Sequence, residues 1–154
     1  MRTGSVAFRL ASTGDLETIV ALLADDPIGR GRENPGPRLD NSYREAFAAI
    51  ERDPNQLLAV AERSGDVIGV LQLSFIPGLT RRGMWRGQIE GVRVAGDERG
   101  GGLGRAMVEW AIQECRQRGC GLVQLTSDER RPDAHKFYEA LGFRATHRGY
   151  KLPL

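Results

Sequence analysis

The sequence predicts a single domain over residues 1–154 of α/β (α+β) class. It is a mixed, mostly antiparallel central sheet flanked by helices, with one parallel strand–helix–strand crossover. Three observations carry that expectation. Two apolar stretches, 56–62 and 67–76, are joined by Ser64-Gly65, which is the signal of an antiparallel hairpin. A further strand pattern at 88–95 is followed by a long amphipathic helix and a short strand at 122–126, the order of a crossover between parallel neighbours. Finally, the remaining apolar residues recur at helical spacing on either side of these strands.

Taken in order, Val6 to Leu10 reads as a first strand, and Ser12 or Thr13 is placed to cap a helix on which Leu16, Ile19, Val20 and Leu23 share one face. Residues 25–40 hold Pro27, Gly29, Gly31, Pro35, Gly36 and Pro37, a composition that predicts an irregular, mobile loop. Tyr43, Phe47 and Ile50 mark a second helix, which Asp53-Pro54 ends. The hairpin follows, and Pro77-Gly78 and Gly83 then turn the chain into the strand at 88–95. On the long helix Leu103, Met107, Val108, Ala111, Ile112 and Cys115 cover a broad apolar face, opposite Arg105, Glu109, Gln113 and Arg116. Gly119 ends it. Pro132 and Asp133 open a last helix with Ala134, Phe137, Tyr138 and Leu141 on one stripe, Gly142 stops it, and 143–152 is expected to be terminal β structure.

Composition excludes several classes of function. The chain has 40% hydrophobic and 27% charged residues, the balance of a globular protein rather than a disordered one. No apolar run approaches the ~20 residues of a spanning helix, and the opening MRTGSVAFRL lacks an apolar signal core, so the expectation is a cytoplasmic protein with no membrane partner. A net charge of +2 gives no argument for nucleic acid. Cys115 and Cys120 read as small buried hydrophobes, and His135 and His147 have no companions at a ligand spacing, so no metal is expected. The compositional departure is glycine: 20 residues in 154, about twice the usual ~7%. The surplus gathers at Gly100-Gly101-Gly102-Leu103-Gly104, between a strand and the start of the long helix.

A glycine-rich turn at a helix start is an anion site, because successive N–H groups and the positive end of the helix dipole converge where no side chain blocks approach. The Walker pattern is absent, since no Gly-Lys-Ser/Thr follows, and the dinucleotide fingerprint fails because Met107 stands where its third glycine belongs. A nucleotide-dependent oxidoreductase is disfavoured on that ground. Arg99-Gly100-Gly101-Gly102-Leu103-Gly104 instead resembles the Arg/Gln-x-x-Gly-x-Gly/Ala signature of the GNAT superfamily of N-acetyltransferases. The segment Asp133-Ala-His-Lys-Phe-Tyr-Glu-Ala-Leu-Gly-Phe143 resembles the family's helix after the fifth strand. That form, with the 85–94 segment, is most similar to the small bacterial branch that includes aminoalkylphosphonate acetyltransferases.

The resemblance implies acetyl-CoA as co-substrate. It places the cofactor diphosphate on Arg99, Gly100, Gly101, Gly102, Leu103, Gly104 and Arg105, through backbone N–H groups from Gly101 to Arg105. The pantetheine arm would lie along Val92, Arg93 and Val94, where a splay or bulge would free one N–H for the thioester carbonyl. Asp128 stands where many relatives have a pantetheine-binding asparagine; an ionised carboxylate accepts but does not donate, so its contact must differ. Glu90, on the strand leading to the turn, is the candidate base for the amine, against the alternative of a solvent-facing residue paired with an arginine such as Arg86; Asp128, His135 and His147 are weaker candidates. Periodicity alone puts Tyr138 in the core, whereas the resemblance makes it the acid that protonates the leaving thiolate. With no well-placed cysteine nucleophile, direct attack in a ternary complex is expected. Arg81, Arg82 and Arg86 form either a solvated face or an attraction for anionic substrate, and 25–40, with Arg30, Arg32 and Glu33, is the expected specificity element. The acceptor is a primary amine of a small molecule or peptide. A homodimer is implied by the family, and a non-catalytic acyl-CoA-binding regulatory module is the alternative function.

Overall fold

A computed structural model describes residues 4–154. Its five strands are β1 (Val6–Leu10), β2 (Gln56–Arg63), β3 (Asp66–Ile76), β4 (Arg86–Val94) and β5 (Leu122–Leu125), and its helices are α1 (Leu16–Ala24), α2 (Asn41–Arg52), α3 (Thr80–Gly83), α4 (Leu103–Gln117) and α5 (Pro132–Ala140). The strands lie in sequence order, β1-β2-β3-β4-β5. All neighbours are antiparallel except β4 and β5, which are parallel and joined through α4. The predicted fold class is therefore the observed one.

Local chemistry accounts for the turns. Ser64 (φ 53°) and Gly65 (φ 86°) are both left-handed, the pair of conformations that a two-residue hairpin turn requires for strands of natural twist. The α3 segment is one turn in which Arg81 (φ 53°) and Arg82 (φ 62°) also sit in the left-handed region, so the chain reverses there rather than continuing as a helix. Ser12 opens the first helical turn, its N–H donating to the Asp15 carboxylate at 2.7 Å. The 25–40 loop is irregular as expected, but several contacts tie it down. Tyr43 Oη donates to Glu33 (2.7 Å) and accepts from the Asn34 N–H (3.0 Å), while Leu39 is buried against Leu16, Val20 and Phe47.

The main core lies between one sheet face and α4. Leu71, Leu73, Phe75 and Ile89 meet Leu103, Met107, Val108, Ala111 and Cys115, all nearly inaccessible to solvent. Burying side chains of this size stabilises by roughly 1.5–3 kcal/mol each. The other face is covered in part by α1, where Ile19 and Leu22 pack on Val60 and Val70. No described helix is long and apolar enough to cross a membrane.

One expectation needs correction. Residues 143–154 form neither strand nor helix; Phe143 packs edge-on against Tyr138 with ring centres 5.8 Å apart, but Tyr150 and Leu152 are more than four-fifths exposed. Alternating side chains make a strand only beside a long enough edge, and β5 supplies just four residues.

The closeness of α4 to the sheet depends on Gly87, where a Cβ would fall 2.1 Å from Cys115 Sγ. Gly87→Ala should therefore destabilise by roughly 1–3 kcal/mol in urea unfolding, and Gly87→Ala combined with Cys115→Ala should recover part of the loss. Equal loss in the single and double variants would contradict this packing.

Candidate active site

The central feature is a gap in the sheet. The β4–β5 ladder runs from Arg86–Leu122 to Ile89–Leu125 and stops, so Glu90 to Val94 have no β5 partner. On the other side of β4, Gln72 faces Glu90 and Val70 faces Arg93, so Gly91 and Val92 oppose the single residue Leu71. This is a bulge, and Gly91 takes φ +61° within it. Eight residues past Val92 begins a second concentration of unpaired donors. Gly100 (φ 81°) and Gly102 (φ 85°) are left-handed, with nothing within 4 Å of where their Cβ atoms would be. The first backbone bond into α4 runs from Ala106 N to Gly102 O, leaving the N–H groups of Leu103, Gly104 and Arg105 without a helical acceptor at the positive end of a 15-residue helix. The turn thus offers free N–H groups in open space, and β4 offers an unpaired strand edge able to hydrogen-bond an extended chain.

Residues 16–143 match the model of the Acetyltransferase (GNAT) family. The chain belongs to that family. Its members are acetyl-CoA-dependent acyltransferases, and curated relatives are named as N-acetyltransferases. Aminoalkylphosphonate N-acetyltransferase of Salmonella typhimurium is 33% identical over 140 residues, covering 90% of this chain and 85% of the relative. Glucosamine 6-phosphate N-acetyltransferase of Trypanosoma brucei brucei is 40% identical over 91 residues, 59% of this chain and 60% of the relative. Among solved structures, a transcriptional regulator from Bacillus halodurans superimposes with a TM-score of 0.94 at 48% identity, covering 97% of this chain and all of the other.

The residues expected to serve the site differ in how free they are. The Glu90 side chain is exposed on the face shared by Gln72, Ser74 and Gln88. Its partner is not Arg86: Gln88 Nε2 donates to Glu90 Oε1, and Gln124 Nε2 donates to Gln88 Oε1 at 2.8 Å, so two amides in series orient the carboxylate. Tyr138 lies within the aromatic stripe of α5, its ring edge-on to Phe137 at 5.1 Å. Burial pushes its hydroxyl above the ordinary phenol range, against the opposing pull of Arg93 and Arg131. It therefore carries its proton at neutral pH.

Other expected contacts are already engaged. The Arg99 guanidinium donates from Nε to Val94 O (3.2 Å) and from Nη2 to Asp25 O (2.9 Å) and Oδ2 (3.1 Å), fastening the turn to the end of β4 and to the loop after α1. Arg105 pairs with Glu109 at 2.8 Å along α4. Asp128 is gripped by Arg130 through the backbone N–H (2.9 Å), Nε (2.9 Å) and Nη2 (2.7 Å), which holds its carboxyl well below the usual range. Its carbonyl, not its carboxylate, faces His135 Nε2 at 2.9 Å. Cys115 is buried, and burial raises its thiol to about 12, so it supplies no thiolate nucleophile.

Sequence reasoning missed Asp26. Its Oδ1 accepts from the N–H groups of Ile28 and Gly29, both at 2.8 Å, and from Arg131 Nη2 at 2.9 Å. Its Oδ2 lies 3.0 Å from Arg93 Nε, an ion pair whose N–H does not point at the oxygen, so Arg93 Nε has no hydrogen-bond acceptor. The Asp-x-x-Gly turn was legible locally; the partners, 67 and 105 residues away, were not. Burial alone would raise this carboxyl, but Gly29, Arg131 and Arg93 together outweigh it and bring it to about 2. Because that lies below its ordinary 3.8, the stabilisation is complete above about pH 4 and is lost as pH falls through about 2. Asp26→Asn should cost on the order of 2 kcal/mol at pH 7 and should flatten the stability-versus-pH curve in that acid window. A chemical-denaturation series across pH 2–7 checks both, and an unchanged acid limb would contradict the assignment.

Proposed function

We propose that this chain transfers an acetyl group from acetyl-CoA to a primary amine by direct attack within a ternary complex. The observation that carries the reading is the separation of β4 from β5 beside a glycine bulge, followed within the next ten residues by the left-handed glycine turn that opens α4. The donors fit the cofactor: the N–H groups of Gly101 to Arg105 would hold the diphosphate, and the β4 backbone from Val92 to Val94 would hold the arm. When bound, acetyl-CoA supplies the thioester. The chain's own part is to orient the two reactants, to polarise the thioester carbonyl with an N–H freed by the bulge, and to manage two protons. The acceptors in the two curated relatives' names, an aminoalkylphosphonate and glucosamine 6-phosphate, favour a small-molecule amine over a peptide.

Proton management dominates the energetics. An alkylamine of pKa ~10.4 is neutral in only about one molecule in 10³ at pH 7, a cost of ~4–5 kcal/mol. Glu90, exposed at the gap and oriented by Gln88, is the base we assign to the ammonium, directly or through water. Tyr138, held protonated by its surroundings, is the acid for the departing thiolate. General acid or base catalysis of this type contributes about 10²–10⁴ in rate.

A second reading, a regulatory module that binds acyl-CoA without turnover, draws on the name of the Bacillus halodurans structure. Thiol release from acetyl-CoA over an amine library separates the two, since only an enzyme releases coenzyme A in an amine-dependent way. In that assay Glu90→Gln should lower kcat/KM by roughly 10²-fold or more, with the greatest loss at lower pH where more amine must be deprotonated. Tyr138→Phe should lower kcat by about 10²-fold with KM little changed. Full turnover in either variant removes that residue from the mechanism, and failure to bind acetyl-CoA in calorimetry overturns the reading.

A further inference from the structure

Glu90 and Arg93 project from the same face of the sheet, on opposite sides of the Gly91 bulge, because their β3 partners Gln72 and Val70 are two residues apart. That spacing sets their backbones about 7 Å apart along the strand direction. A carboxylate and a guanidinium therefore flank the place where β4 leaves β5.

The guanidinium does not stand alone. Arg131, at the start of α5, meets the same carboxylate as Arg93, and both arginines act electrostatically on the Tyr138 hydroxyl. Arg32, from the loop after α1, lies near enough to act on Arg93 as well. Against these three positive groups stands one carboxylate, Asp26, which already divides its oxygens between two backbone N–H groups and two arginines. The four side chains carry one negative and three positive charges. Arg93, Arg131 and Asp26 are each no more than a quarter exposed, so water does not fully compensate the excess. Arg93 Nε lies 3.0 Å from Asp26 Oδ2 without a well-directed hydrogen bond, so this pair is held by charge alone. Positive charge beyond what the protein neutralises, carried by planar forks, is complementary to a small oxyanion.

We propose that Arg93 and Arg131, with Arg32 at the loop, form a subsite for an acidic group on the acceptor, while Glu90 across the bulge meets its amine. The acceptor class is then a short amine bearing a phosphonate, phosphate or carboxylate. The inference rests on the acetyl-transfer reading and adds to it which end of the acceptor lies where. Asp26 joins the two arginines, one on each carboxylate oxygen, and is a positioning residue. The alternative source of the same chemistry, a phosphate of the cofactor, is served by the N–H groups at the start of α4.

The test compares 2-aminoethylphosphonate with propylamine as acceptors for the full chain and acetyl-CoA, followed by thiol release. The unmodified protein should prefer the phosphonate by at least tenfold in kcat/KM. Arg131→Gln should erode that preference on the order of tenfold or more, through KM, Arg131→Lys should restore part of it, and Arg32→Gln, at an exposed position, should erode it without removing an Asp26 ligand. Methylphosphonate should inhibit competitively against the amine and not against acetyl-CoA. Equal acetylation of the two amines overturns the subsite and leaves acetyl transfer standing, as does inhibition competitive with acetyl-CoA. Acetylation of neither amine overturns the subsite, and binding of acetyl-CoA without thiol release for any amine of the library overturns acetyl transfer as well.

Discussion

Strands β4 and β5 hold each other in register for four residue pairs and then part after Ile89 and Leu125. A backbone that leaves its ladder keeps its donors and acceptors, and each must find water, a side chain or a ligand. Here the departing segment also carries the bulge at Gly91, which turns the strand and breaks its pairing with β3 for one residue. The remainder of the fold keeps this opening in place. Leu103, Met107, Val108, Ala111 and Cys115 bind α4 to the opposite sheet face, so the helix start and the strand end are set by one core. Packing on one side of the sheet thus holds open a gap whose use lies on the other.

Charge is organised around that gap in two ways. On the Glu90 side the carboxylate faces solvent and is steered by neutral amides, Gln88 and then Gln124, which orient without adding charge. On the Arg93 side the groups are more enclosed and the charges face one another directly. Asp26 shows which influence wins: desolvation would make it a weaker acid, yet two guanidiniums and two backbone donors make it a stronger one. At Tyr138 the order reverses, with burial prevailing over the same two arginines. One pair of cations therefore acts on two acidic groups with opposite net results, decided by how much hydrogen bonding each group receives.

Much of this was legible in sequence because it rests on short-range rules. The Ser64-Gly65 hairpin, the apolar faces of α1 and α4, the Pro132 start of α5 and the glycine turn are local patterns, and each stands where periodicity and turn chemistry put it. The bulge near Val92 came from family likeness rather than from any spacing in the chain. What could not be read were relations across long stretches of sequence. Nothing near Asp26 names Arg131, and nothing near Arg99 shows that its guanidinium reaches Asp25, 74 residues away. The 143–152 strand failed for a related reason, since a strand needs an edge and a strand pattern carries no information about its neighbour.

Arg99 joins three places with one side chain: the glycine turn it belongs to, the last carbonyl of β4, and Asp25 at the head of the loop that holds Arg30 and Arg32. Asp25 is the immediate neighbour of Asp26, whose carboxylate spans the arginines on the other side of the gap. The turn and the enclosed charges beside β4 are therefore connected through two adjacent residues. Such a linkage has no direction. If an anion at the start of α4 strengthens binding of an anion among the arginines through this tie, the second must strengthen binding of the first by the same free energy. The guanidinium at the head of the glycine run is in that sense a thermodynamic balance arm as much as a strut.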